Sequence, residues 1–140
     1  MKTRSTLGIL TIVSTVTSIP LQAETVAVAD PGSNQVEYFA VTDSDSWVSS
    51  GVLIPSGTYD GGAFTTPWGL AVSGDRLFVS EAVAGGRILE FTKTGSFVKT
   101  VYDFGSTTTP RMITLGPDGS LYMSDSFGSA GDCIWKIDIN

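Results

Sequence analysis

Three carboxylates stand at matching places along the chain: Asp30 after Val26-Ala27-Val28-Ala29, Glu81 after Leu77-Phe78-Val79-Ser80, and Asp125 after Leu121-Tyr122-Met123-Ser124. Carboxylates gathered from successive structural units would hold a divalent cation, which prefers several oxygen ligands. An acid at the end of a strand also accepts backbone N–H groups from the loop that follows, and a residue that recurs in a repeat ordinarily builds the repeat. A second pair, Trp68 and Arg111, follows Pro67 and Pro110. Side by side they suit a planar or anionic ligand, by stacking on the indole and by charge-assisted hydrogen bonds from the guanidinium. The alternative is packing, with Trp68 between units and Arg111 paired to a neighbouring acid.

No catalytic residue and no metal ligand set is assigned. The 140 residues contain no histidine, which removes a Ser-His-Asp triad, a Cys-His dyad and every His-based zinc site. Asp43-Ser44-Asp45-Ser46 opens like a calcium loop, but Trp47 stands at the third ligand position, no Gly follows and no Glu occupies the twelfth place, so it reads as a solvated loop. Arg76 and Arg87 read as bridges between hairpins. Cys133 is the single cysteine, which rules out an intramolecular disulfide, and it reads as a small packed side chain. There is no P-loop, dinucleotide fingerprint or nucleophile elbow.

The elements that must position these residues repeat. Pro67-Trp68-Gly69-Leu70-Ala71-Val72, a Gly74-Asp75 turn, Leu77-Phe78-Val79-Ser80-Glu81, Arg87-Ile88-Leu89-Glu90-Phe91 and Gly95-Ser96-Phe97 form one unit. A second begins at Pro110, turns at Pro117-Asp118-Gly119 and runs through Leu121-Tyr122-Met123-Ser124-Asp125 to Cys133-Ile134-Trp135-Lys136-Ile137. Pro67 to Pro110 is an offset of 43 residues and Leu77 to Leu121 one of 44. An earlier, partial copy runs from Val26 to Phe39; it reads as lacking its inner strand, and its extra length as a longer loop around Thr42 to Gly62. Apolar residues alternate over four to six positions and Gly, Asp, Asn or Pro closes each run, which is strand and hairpin punctuation. No segment sustains a helical period, so beyond residue 23 the chain is expected to be all-β, with the four-stranded blade of a β-propeller as its unit.

Proline, any residue, Gly, an apolar strand, a Gly turn, a strand ending in Ser or Ala and an acid, then Arg-Ile and an aromatic resembles the NHL repeat. The wider group of six-bladed propellers, including gluconolactonase-like and streptogramin-lyase-like proteins, is similar. The resemblance spans residues 24–140; Met112 departs from it, standing where the pattern has Gly. It implies that Trp68 and Arg111 face one mouth of a channel where ligands bind. It also implies two enzyme chemistries. Lactone hydrolysis needs a cation such as calcium, and further blades would have to supply most of the ligands, since Asn34 is one of only two asparagines. The lyase chemistry leans on a histidine that this chain lacks.

Residues 1–23 read as a secretory signal, with basic Lys2 and Arg4, an apolar stretch from Leu7 to Ile19 and cleavage after Ala23. The product is expected to be secreted or periplasmic, with no membrane span once the signal is removed. Removing Lys2 and Arg4 takes the formal net charge from -6 to -8, six basic against fourteen acidic side chains. That balance argues against nucleic acid as a partner. A mature chain of about 117 residues over a repeat of about 43 gives an incomplete propeller of about 2.7 blades, below the four to eight of a closed ring. The expectation is a non-catalytic binding or interaction module, for a protein or small-molecule ligand, or a fragment of a longer propeller. A homodimer closing a six-bladed ring is the alternative to truncation. A fragment of a metal-dependent gluconolactonase-like hydrolase is the alternative function.

Overall fold

The computed structural model describes residues 10–13, 25–43, 46–106, 108–125 and 133–140. The rest of the segment read as a signal, Ser44 and Asp45 of the acidic run, and Thr107 lie outside the described residues. Among the described residues there is no helix, and thirteen strands form three main antiparallel sheets and a two-residue hairpin, none of them closed. The first sheet contains β1 (Leu10–Val13), β2 (Thr25–Asp30), β3 (Gln35–Asp43) and β4 (Ser46–Ile54), in that order. A short hairpin, β5 (Thr58–Tyr59) and β6 (Gly62–Ala63), leads to the second sheet. That sheet runs in order through β7 (Pro67–Ser73), β8 (Arg76–Glu81), β9 (Arg87–Thr92) and β10 (Phe97–Asp103). The third has three strands, β11 (Pro110–Leu115), β12 (Leu121–Asp125) and β13 (Cys133–Ile137).

Two sequence expectations for the first unit need correction. Its inner-strand place is filled by β1, whose Leu10 pairs with Val28 and Val13 with Thr25. The period could not reveal this, because β1 lies inside the stretch that reads as a signal and far from β2 along the chain. The loop expected around Thr42 to Gly62 is largely the nine-residue β4 and the β5–β6 hairpin. Trp47-Val48 and Val52-Leu53-Ile54 supply the β-branched and aromatic residues a strand favours, but Gly51 and three register shifts against β3 blur the alternation.

The sheets are stacked face to face, with β7 lying against β11 on one side and against β1 and β2 on the other. Successive side chains of a strand point to opposite faces, so β8 feeds two cores. Leu77 and Val79 join Ala27, Ala29, Val36, Ile54, Phe64, Leu70, Leu89 and Phe91 between the first and second sheets. Phe78 joins Ala71, Ile88, Ile113, Leu121, Met123, Ile137 and Ile139 between the second and third. This explains why β8 and β9 read as nearly continuous apolar runs: both of their faces are covered. Each fully buried Leu, Ile or Phe in these layers contributes about 1.5–3 kcal/mol relative to exposure. Tyr59 from the small hairpin seals one edge, its ring 5.5, 5.2 and 5.4 Å from Phe64, Phe91 and Phe97.

The turns follow their residues. Gly74 and Gly119 adopt positive φ, 59° and 79°, where a side chain would be strained. Asp118 completes the second of these turns by accepting the Ser120 N–H and the Tyr122 hydroxyl at 3.1 and 2.9 Å.

Candidate functional site

The first strands of the second and third sheets meet closely, and a glycine and a serine set how closely. Strand β7 bulges between Pro67 and Leu70, which turns the Gly69 N–H away from the backbone of β8 and onto Ser80 Oγ at 2.8 Å. The fully buried Ser80 hydroxyl donates in turn to the Arg111 carbonyl of the next sheet. A Cβ at position 69 would lie 2.6 Å from the Arg111 carbonyl oxygen and 2.7 Å from the Ile113 nitrogen, so the approach requires glycine.

This seam brings Trp68 and Arg111 together. Arg111 Cζ lies 4.9 Å from the centroid of the Trp68 ring, and both residues are half-buried. A guanidinium over an indole gains about 0.5–1 kcal/mol at an exposed site. Chemically, the pair sets a cationic guanidinium beside a flat apolar surface. It also ties the second sheet to the third, so one contact serves both packing and the display of these groups.

The three repeated carboxylates are placed alike, at the ends of β2, β8 and β12, and each holds local backbone. Asp30 accepts the Gly32 N–H at 2.9 Å and the Ser33 hydroxyl at 2.8 Å. Glu81 Oε1 accepts the Thr65 N–H at 3.0 Å, and Asp125 Oδ1 the Thr109 N–H at 3.2 Å. Thr65 and Thr109 lie just ahead of Pro67 and Pro110, so these two acids fix the chain as it turns into the first strand of their own sheet. Among the described residues no three acids or cysteines gather closely enough to hold a metal ion.

Glu81 also carries an ion pair with Arg87. Arg87 Nε reaches Glu81 Oε2 at 2.6 Å and Nη2 reaches Oε1 at 3.2 Å. Two further guanidinium hydrogens go to the carbonyls of Tyr59, at 2.8 Å, and Ala63, at 3.2 Å. Arg87 thus clasps the β5–β6 hairpin onto the second sheet. A cleft of about 490 Å³ opens above this pair, with Asp60, Thr65 and Asp103 on its walls. Four of the five guanidinium N–H groups are taken by protein acceptors, and the Glu81 carboxylate balances the charge, so Arg87 is held as part of the fold more than offered to the cleft. Gln35 and Cys133 stand opposite Asp30 and Asp125 in the ladders, so the clasp belongs to the middle unit.

Arg76 bridges within its sheet as its sequence predicts, with Nε 2.7 Å from Glu90 Oε1 and Nη2 2.9 Å from Oε2, and it also donates to the Ile139 carbonyl at 2.9 Å. Those hydrogen bonds hold the Glu90 carboxyl below the ordinary glutamate range, against the opposing effect of its burial. Asp118 is held well below its ordinary range by hydrogen bonds from Lys136, from the Ser120 N–H and from Tyr122. Burial raises the Tyr59 phenol. Cys133 is half-buried in β13, opposite Asp125.

Sequence reasoning passed over the seam. Its signal was present in the serine that precedes the acid in Val79-Ser80-Glu81 and again in Met123-Ser124-Asp125. A bulge in β11 between Pro110 and Ile113 likewise directs the Met112 N–H to Ser124 Oγ at 3.2 Å. Comparison of the chain with models of protein families and with characterised proteins finds no match to either.

Proposed function

We propose that the three sheets are blades of a β-propeller of the NHL-repeat kind, in an exported protein, and that the chain is a non-catalytic binding module. Its ligand sits at the seam where Trp68 and Arg111 meet, and is a planar or anionic group of a small molecule or of a partner protein. The observation that carries this reading is the Arg111 guanidinium stacked 4.9 Å from the Trp68 ring at matching places in two neighbouring sheets. Supporting it are the four-strand order of the second sheet, the stacking of β7 against β11, and the proline that opens each of these two strands. Radial repetition of such sheets is the propeller's way of covering sheet faces.

The test is a titration with 2-naphthalenesulfonate, a planar anion, followed by tryptophan fluorescence. Saturable binding by the wild type, weakened at least about tenfold in both Arg111→Ala and Trp68→Ala, is expected from the loss of a charge-assisted contact or a stacking face. Equal binding by all three proteins overturns the site, and absence of saturable binding by the wild type overturns the ligand class.

A further inference from the structure

The chain has two Asp-Gly pairs, Asp60-Gly61 and Asp118-Gly119, and each sits in a hairpin turn with its glycine at positive φ, 78° and 79°. In such a pair the backbone can react with its own side chain, because the glycine nitrogen reaches the aspartate carboxyl carbon and no Cβ on the glycine hinders the approach. Both groups must be free for this to happen. A carboxylate that accepts several hydrogen bonds resists the neutral form from which hydroxide leaves as water. An amide N–H committed to a carbonyl is a nitrogen held away from attack.

Both aspartates are exposed, so bonding and not access separates them. At Asp118 both reacting groups are engaged. Its carboxylate takes the Ser120 N–H at 3.1 Å, the Tyr122 hydroxyl at 2.9 Å and the Lys136 ammonium at 2.7 Å, and the Gly119 N–H donates to the Gly116 carbonyl at 3.1 Å. Those partners hold the Asp118 carboxyl well below its ordinary range, so its neutral form is scarce. At the other turn neither group is engaged: among the described residues, the Asp60 carboxylate and the Gly61 N–H have no hydrogen-bond partner. A Cβ built on Gly61 would meet nothing within 4 Å, which leaves open space on that side of the turn for a ring to form.

We propose that Asp60-Gly61 is a site of spontaneous isomerisation to isoaspartate, and that Asp118-Gly119 is protected by the bonds of its own turn. The Gly61 nitrogen attacks the Asp60 carboxyl carbon. A C–N bond forms, the carboxyl hydroxyl leaves as water with the amide proton, and a succinimide ring closes. Water then adds to either ring carbonyl: opening at the side-chain carbonyl returns aspartate, and opening at the main-chain carbonyl leaves the chain running through the side chain, with its mass unchanged. The water lost is regained and no other reactant is needed. The position gives the change a structural consequence. Tyr59 and Gly62 pair directly across the turn, and isoaspartate lengthens the backbone between them by one methylene. Tyr59 and Ala63 present the carbonyls that Arg87 holds at 2.8 and 3.2 Å, so the clasp on the second sheet loosens with the turn.

The test keeps the full chain at neutral pH for several weeks, folded and, in parallel, unfolded in guanidinium chloride. Isoaspartate is quantified by an isoaspartyl methyltransferase and placed in the sequence by electron-transfer fragmentation of the peptides. In the folded chain isoaspartate at residue 60 should exceed that at 118 by at least about tenfold, because the hydrogen-bonded turn must open before it reacts. In guanidinium chloride the two sites should accumulate it at similar rates, since the bonds that separate them are gone. Tyr122→Phe combined with Lys136→Ala should raise isoaspartate at 118 in the folded chain and leave that at 60 unchanged. Asp60→Gly, which suits the φ of 51° at that position, should remove the signal from the first turn. Absence of isoaspartate at residue 60, equal amounts at the two sites in the folded chain, or no rise at 118 in the double variant each overturns the proposal.

Discussion

Replacing Ser80 by alanine removes one hydroxyl from a site where two polar groups have turned away from the sheet ladder to meet it. Gly69 is buried, and its N–H, displaced by the bulge in β7, would be left without an acceptor, at a cost of about 1–3 kcal/mol. The Arg111 carbonyl belongs to a half-buried residue and would lose a hydrogen bond worth about 0.5–1.5 kcal/mol. The expected loss is therefore about 2–4 kcal/mol, from a change that deletes only an oxygen and opens no large cavity. With a urea dependence of about 1.5 kcal/mol per M, the unfolding midpoint falls by roughly 1.5–2.5 M. Ser50→Ala is the control, because the exposed Ser50 hydroxyl donates only to the Val48 carbonyl of its own strand, at 3.3 Å, and its loss should stay within about 0.5 kcal/mol. Equilibrium unfolding followed by tryptophan fluorescence reads both variants. If the two midpoints agree within about 0.3 M, the seam does not couple the second sheet to the third, and the argument built on it is refuted.

Three further outcomes follow from the same geometry. Glu81→Ala strands the Arg87 guanidinium, 12% exposed, without its carboxylate and frees the Thr65 N–H, so thermal unfolding should show a loss of about 3–5 kcal/mol; a loss below about 1 kcal/mol would mean the clasp is dispensable. Glu90 is held below its ordinary range by Arg76, so its contribution is complete above the unfolded value of about 4.3 and disappears as pH falls through the lower folded value. Unfolding midpoints at pH 6 and pH 3 should therefore differ less in Glu90→Gln than in the wild type, and an unchanged difference would remove Glu90 from the acid response. Deleting residues 1–23 takes β1 away and opens one edge of β2, so amide exchange in β2 should quicken while that in β8 does not; equal protection with and without the segment would show that β1 contributes nothing to the first sheet.

The periodic parts of the chain were legible because each strand of the middle unit is short, β-branched and closed by a turn residue. Gly74 and Asp118-Gly119 marked hairpins that the backbone confirms with positive φ at both glycines. The matching of Asp30, Glu81 and Asp125, and of Trp68 with Arg111, was readable from offset, since equivalent residues of stacked repeats take equivalent places; that Trp68 and Arg111 touch was one of two readings the sequence left open. The inner strand of the first sheet was not legible. Its partner β2 is more than ten residues away, and its apolar residues carry the same composition whether they enter a translocation channel or a sheet.

The sequence by itself determined that the chain is β throughout its repeating part, that its units are about 43 residues long, and that histidine chemistry is absent. Only the tertiary structure decided what the repeated residues touch. Glu81 and Asp125 share a spacing and a backbone role, but that Glu81 also pairs with Arg87, and that Arg87 in turn holds carbonyls of the hairpin at residues 58–63, follows from packing and not from spacing. Ser80 and Ser124 are alike in sequence and each accepts an N–H from the first strand of its own sheet, but Ser80 also gives its proton to a carbonyl across the seam. Spacing fixes position within a repeat, whereas contacts depend on which neighbour is packed against it, and that is settled by through-space packing that a one-dimensional pattern does not encode.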